Sequence, residues 1–283
     1  MNQGRAQEGA AEQAHAAPSG ARHPGLFETR ATGIILVIVL LLLWEASVRF
    51  GVINSVNWPA FSAVVRALFA GVVSGELPTV LVSTLWSMFR GFALGCAIAV
   101  PLGFAIALFE PARWLLQPSL ELLRPIPIPA IIPPLIFLLG IGDGLKLFSV
   151  AFATLFPVAL NTISGVLAVD TVYRQVARTF GVTRLTALRH VVFPASLPFI
   201  LAGLRTSLAI ALVVTVVTEM IVGQEGIGYY LMTMQYALRA ADMYAAVIIL
   251  AVAAYLINRA FLAWEAHVIR WARLRESAGG DAW

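Results

Sequence analysis

The stretch QVARTFGVTRLTALRHVVFP, residues 175–194, interrupts an otherwise apolar chain and decides how the rest is read. It carries Arg178, Arg184 and Arg189, has apolar residues at helical spacing, is divided by Gly181 and is closed by Pro194. It holds no acid, no Ser–His pairing and no cluster of metal ligands. Asp170 can cap a helix starting at Thr171, because a carboxylate accepts the free N–H groups of a first turn. Tyr173, Val176, Ala177 and Phe180 then share one face. Gly181 suits the left-handed residue that ends a helix. Thr183 can cap a second helix with Leu185, Leu188 and Val192 on its apolar side, and Pro194 is expected to end it one residue earlier. The unit is two short helices joined by a glycine bend. Its apolar side chains, ringed by arginines, serve either as a docking patch or as packing against the chain's own bundle, and helix geometry does not choose.

Outward from this loop the chain is 60% hydrophobic and 12% charged, which excludes a soluble globular domain. Runs of about 20 apolar residues cross a bilayer as helices. Six are expected, over 33–50, 83–108, 120–139, 147–167, 197–222 and 244–264. A membrane barrel would instead show short alternating segments. The fold class is therefore all-α, a polytopic membrane protein.

Arginine placement orients the spans. One set of flanks holds Arg5, Arg22, Arg30, Arg113, Arg124, Arg174, Arg178, Arg184, Arg189, Arg270, Arg273 and Arg275. The other holds Arg66, Lys146 and Arg239, with Arg49 and Arg90 near its edges. Both termini and the 175–194 loop are thus expected in the cytoplasm, in a plasma (inner) membrane. The net charge of +4 follows from this sidedness and calls for no nucleic-acid partner.

The expected organisation is a disordered cytoplasmic tail over 1–31, a first membrane helix over 32–53 and an external amphipathic connector over 54–82. A core over 83–272, with its cytoplasmic loop at 170–194, and a tail over 273–283 complete it. The opening residues lack periodicity, and the apolar run after them starts too late and runs too long for a secretory signal. The lone Cys96 permits no disulfide within the chain.

Several residues mark a candidate pathway. The third span, RPIPIPAIIPPLIF, places prolines at 125, 127, 129, 133 and 134, through which a regular helix is not expected to run. Pro127 and Pro129 read either as a broken helix lining a cavity or as a helix start at the inner boundary. Asn161 is an amide inside a span and is expected to bond to another helix. Arg205 and Glu219 either face the protein interior or snorkel from near the span ends. Gly91 and Gly95 have the spacing of close helix packing, and Pro101 and Gly103 allow a kink. Gly226 and Gly228 mark a turn before an apolar surface or re-entrant helix at Tyr229, Tyr230 and Met232.

The anchors Gln175-Val176-Ala177, three residues, Gly181, nine residues, Val191-x-Phe193-Pro194 resemble the coupling-loop motif of ATP-binding-cassette importer permeases. That motif reads Glu-Ala-Ala, three residues, Gly, nine residues, Ile-x-Leu-Pro. Spacing agrees at every anchor, while Gln175, Val176, Val191 and Phe193 replace the motif's residues. Gln for Glu keeps size and hydrogen bonding and loses a charge. The stretches RPIPIPAIIPPLIFLLGIGDGLKLF, FPVALNTISGV, PASLPFILAGLRTSLAIAL and TEMIVGQEGIGYYL are similar to the nitrate, sulfonate, taurine and bicarbonate branch. The resemblance spans about 58–271, and the branch's extra first span corresponds to 33–50.

The resemblance implies an importer permease of type I fold, a dimer docked on two cytoplasmic ATPase subunits and fed by a periplasmic or surface binding protein. It implies that Gln175, Val176, Ala177, Arg178, Gly181, Leu188 and Pro194 couple to the ATPases. It also implies inward transport of a small anion by alternating access, with ATP–Mg bound by the partner. This chain needs no cofactor or metal of its own. Its nearest approach to a phosphate loop, GIGDGLKLF, lacks the Gly-Lys-Ser/Thr that cradles phosphates. Arg124 and Arg205 suit an anionic solute. An ion-coupled secondary transporter is the alternative, but such proteins bury acids or histidines at mid-membrane, and here Glu45 and Glu219 lie toward the outer ends. A membrane enzyme needs a convergent catalytic set, whereas His15, His23, His190 and His267 all lie outside the spans.

Overall fold

The computed structural model describes residues 30–53, 55–169 and 179–269, and among these every regular element is a helix. Two units result, 1–54 and 55–283. In the first, α1 (Arg30–Arg49) is a single apolar helix whose side chains are exposed from Ile34 to Leu40. A lone helix with a mean hydropathy of 2.0 and no buried face belongs in lipid.

The second unit contains α2 (Phe61–Val73), α3 (Glu76–Leu108), α4 (Glu110–Leu123) and α5 (Ile128–Leu139). It continues with α6 (Asp143–Leu167), α7 (Arg184–Val222), α8 (Ile227–Tyr236) and α9 (Ala240–Val268). Helix α6 is the centre, packed between α3 and α7. Small residues make this possible. A Cβ on Gly91 would lie 2.5 Å from Val150 Cβ, one on Gly95 would overlap the Thr154 hydroxyl, and one on Gly103 would lie 2.7 Å from Thr162 Cβ. With Ala99, fully buried between them, these residues form a stripe repeating every four positions along α3. Without a hydrophobic drive between helices in lipid, close van der Waals contact along such a stripe holds them together. On the other side a Cβ added to Gly203 of α7 would lie 2.8 Å from Asn161 Cβ, and the buried Ser207 hydroxyl donates to Thr154 O at 3.1 Å.

The third expected span is not continuous. Helices α4 and α5 meet at 103°, and α5 has 12 residues, about 18 Å of helix against a hydrocarbon core of about 30 Å. The break is confined to 124–127, where Pro127 is extended at φ −70°, ψ 116°. Pro129 falls in the first turn, where a missing N–H costs nothing, and Pro133 and Pro134 lie within the helix. So among the described residues five helices are long and apolar enough to span, with the bent pair as a sixth if counted together. Most of the helices also outrun the expected spans. Helix α3 starts at Glu76 rather than 83, α6 at Asp143 rather than 147, and α9 covers Ala240–Val268.

Pro194 does not end a helix. The chain passes from Arg184–Ala187 through a π-helical turn, Leu188–Val192, into Phe193–Val222 as one 39-residue helix. The wider turn, in which Phe193 N–H reaches Leu188 O, gives room for a proline that can neither donate nor fit the tighter ladder.

Candidate functional site

At one end of α7, Gly181 has φ +68°, and Thr183 caps the helix by accepting Thr186 N–H at 3.3 Å. Of the apolar face, Val192 is buried and Leu188 is half-buried, whereas Leu185 and Phe180 are 59% and 80% exposed. Phe193 stacks on Phe104 of α3 with ring centres 5.9 Å apart, beside a small apolar cavity that Leu188 also lines. The loop is therefore anchored by Leu188, Val192 and Phe193 and leaves the apolar side chains nearer Gly181 uncovered. Gln175, Val176, Ala177 and Arg178 lie outside the described residues.

Midway along the bundle, a cavity of about 350 Å³ lies between α6, α7 and the α4–α5 bend. Its walls include Arg124, Ile128, Ala153, Phe156, Asn161, Ser164, Thr206 and Ile210. Asn161 is here, but its amide donates to Pro157 O on its own helix at 2.8 Å and not to another helix. The reason is proximity: α7 approaches through Gly203, which has no side chain to offer. Pro127 is exposed at the bend, and Pro129 borders a separate apolar pocket with Ile132 and Val214. Arg205 is exposed and stays off the cavity, one residue from Thr206, which lines it.

Glu219 is wholly buried and does not snorkel. Its Oε2 accepts the Thr84 hydroxyl at 2.8 Å and Gly228 N–H at 3.0 Å, while Thr84 Oγ1 accepts Ile227 N–H at 2.7 Å. The carboxylate thus serves as a cap, supplied from α7, for the first turn of α8. Gly226, at φ +95°, lies so close to this carboxylate that an added Cβ would collide with it. The glycine pair marks the space a buried carboxylate occupies, which is more than a turn.

A cluster of charges lies near the same end. Lys146, nearly buried, pairs with Asp143 at 3.3 Å and Glu225 at 3.2 Å, and Arg90 pairs with Asp143 at 3.1 Å. These contacts tie α3, α6 and the α7–α8 connection together. Sequence reading missed Thr84, Ser164, Thr206 and this cluster. Thr84 and Glu219 are 135 residues apart and no local spacing joins them. The hydroxyls occur amid ordinary apolar periodicity.

The described helices form a membrane-suited bundle that keeps a partly polar cavity between its central helices, an arrangement compatible with a membrane permease. The profile of the family described as "binding-protein-dependent transport system inner membrane component" matches residues 99–274, and the chain belongs to that family. It is 31% identical over 237 residues to the "putative aliphatic sulfonates transport permease protein SsuC" of Escherichia coli, covering 81% of this chain and 90% of that one. The taurine transport system permease protein TauC of the same organism is 27% identical, covering 82% and 86%. The fold is similar to that in an inward-facing structure of the MetNI methionine ABC transporter, with TM-score 0.59 and 22% identity over 68% of this chain and 95% of that one. The chain is thus a multi-pass ABC permease of the nitrate, sulfonate and taurine branch, the class its 175–194 spacing resembled and the branch its span sequences resembled.

Proposed function

We propose that this permease forms the membrane path of an ATP-driven importer for a small organic anion of the sulfonate type. Two copies work together with two cytoplasmic ATPase subunits, which hold ATP–Mg, and with a binding protein outside the membrane. Both termini face the cytoplasm. The observation that carries this reading is the unbroken α7. One helix, about 58 Å long, runs from the loop with exposed Phe180 and Leu185 to the Glu219 cap of α8. A displacement at the loop therefore travels along a rigid element past the cavity to the far end of the bundle. Closure of the ATPases draws the loops of the two copies together and biases the bundle toward its outward-open state, and hydrolysis restores the inward-open one. The sulfonate and taurine relatives support the substrate class. The buried carboxylate does not favour an ion-coupled carrier, because Glu219 is held by a hydroxyl and a backbone N–H as a structural cap.

The test is uptake of radiolabelled taurine and butanesulfonate into proteoliposomes holding the full complex and binding protein. Uptake is expected to need internal-face ATP and to survive ionophores. Uptake that follows an ion gradient without ATP overturns the reading. Gly181→Asp is expected to insert normally and to lower uptake at least tenfold, since Gly181 has φ +68° and any side chain there strains the bend. Wild-type uptake by that variant removes the docking role from this loop.

A further inference from the structure

We infer that the cavity at the α4–α5 bend binds an amphiphilic monoanion, with its oxyanion head toward the cytoplasmic end and a short alkyl tail toward the outer end. This rests on the permease reading above and adds where and how the solute is held. The first ground is charge. Among the residues lining the cavity, Arg124 is the only charged one, and no carboxylate balances it. Arg124 has no ion-pair partner among the described residues, so its guanidinium is available to a sulfonate or similar head, which it matches with paired donors.

The second ground is the order of residues along three walls. On α6 the lining runs Ala153, Phe156, Asn161, Ser164, apolar first and polar toward the helix end that leads into the 175–194 loop. From Ala153 to Ser164 is about 16 Å along the axis. Helix α7 runs the other way, and there Thr206 lies nearer the loop end and Ile210 farther from it. At the bend, Arg124 precedes Ile128, the first residue of α5. All three walls are therefore polar at the same end and apolar at the other. Hydrogen-bond accounts agree with an anion at the polar end. Asn161 uses one N–H on Pro157 O and keeps the second, and the exposed Ser164 hydroxyl is free to donate. A tailless anion such as nitrate leaves the apolar end unused, whereas a short alkyl chain fills it.

The experiment uses the full chain in phosphatidylcholine nanodiscs, with methanesulfonate and butanesulfonate titrated by saturation-transfer NMR. Three added methylenes along the apolar wall are expected to tighten binding about tenfold. Arg124→Gln is expected to weaken both ligands about tenfold, and Arg124→Lys, which keeps the charge but loses the paired donors, to fall between wild type and Arg124→Gln. Ile210→Asn is expected to remove the advantage of the longer tail. Arg259→Gln, on the exposed face of α9, is expected to bind as wild type. Every variant is first checked for monodispersity and thermal unfolding equal to wild type. Equal affinity for the two ligands, or unchanged binding by Arg124→Gln, overturns the inference. A parallel arm in phosphatidylglycerol nanodiscs separates solute from lipid headgroup. Unchanged butanesulfonate affinity supports a solute site, and its loss assigns Arg124 to the lipid and overturns the inference. Failure here with ATP-driven uptake intact removes only this site. Binding that persists where uptake ignores ATP removes only the permease reading.

Discussion

At the residue scale the most informative side chain is Glu219. A carboxylate with no exposure, in a helix suited to lipid, persists only because two donors face it. Glu219→Ala strands the Gly228 N–H in a buried place and leaves the Thr84 hydroxyl with only the longer bond to Val80 O at 3.2 Å, a cost of about 1–3 kcal/mol. The expected outcome is a lower thermal midpoint in detergent, with α8 freed first, seen as faster amide exchange at Ile227 and Gly228 than elsewhere. An unchanged midpoint and exchange pattern would contradict the capping role. From sequence this residue could be placed in a span, but its surroundings were hidden. Its partners come from the start of α3 and from α8, and only folding brings them to it.

At the element scale, α6 is gripped by α3 on one side and α7 on the other, and the grip depends on absent side chains. Gly91 and Gly95 were legible as a packing pair because their four-residue spacing is a property of the helix itself. That the stripe continues through Ala99 to Gly103, and that it faces Val150, Thr154 and Thr162, required the partner helix. Gly95→Val is expected to force α3 and α6 apart and to destabilise the bundle by about 3 kcal/mol or more, given the overlap with Thr154 and the Ala151 carbonyl 2.7 Å away. Fluorescence-detected gel filtration after heating measures this, and a profile equal to wild type would show the interface to be looser than described. Gly33, with nothing within 4 Å of an added Cβ, is the matching control and tolerates Ala. The prolines teach the converse. Sequence marked a disruption somewhere in 125–134, yet the helix itself breaks only at 124–127: Pro129 sits in a first turn and lacks only a bond that position never makes, while Pro133 and Pro134 each leave a rung of the ladder unmade without ending the helix.

At the scale of the whole molecule, arginine asymmetry and the direction of the helices make one joint statement about topology. The 74–75 turn between α2 and α3 and the loop before α7 lie at opposite ends of the spanning helices, since α3 and α6 lead from the first to the second side. In a Cys96→Ala background, Ser74→Cys is expected to react with a membrane-impermeant maleimide on intact spheroplasts. Leu185→Cys, equally exposed, is expected to react only after permeabilisation. The reverse pattern would invert the orientation and place the coupling loop outside.

The sequence by itself determined the class of fold, most of the spans, the charge asymmetry from which a sidedness is proposed, and the spacing of the 175–194 anchors. Each of these is a local property, set by hydropathy over one helix length, by charge next to a span, or by residues at fixed distances along the chain. Tertiary structure alone decided that α7 is one helix through Pro194, that the third span is a sharp bend, that Glu219 caps α8, and which polar groups share a cavity. Those depend on residues far apart in sequence meeting across helices, and lipid, being uniformly apolar, leaves no pattern in the chain to announce which faces will meet.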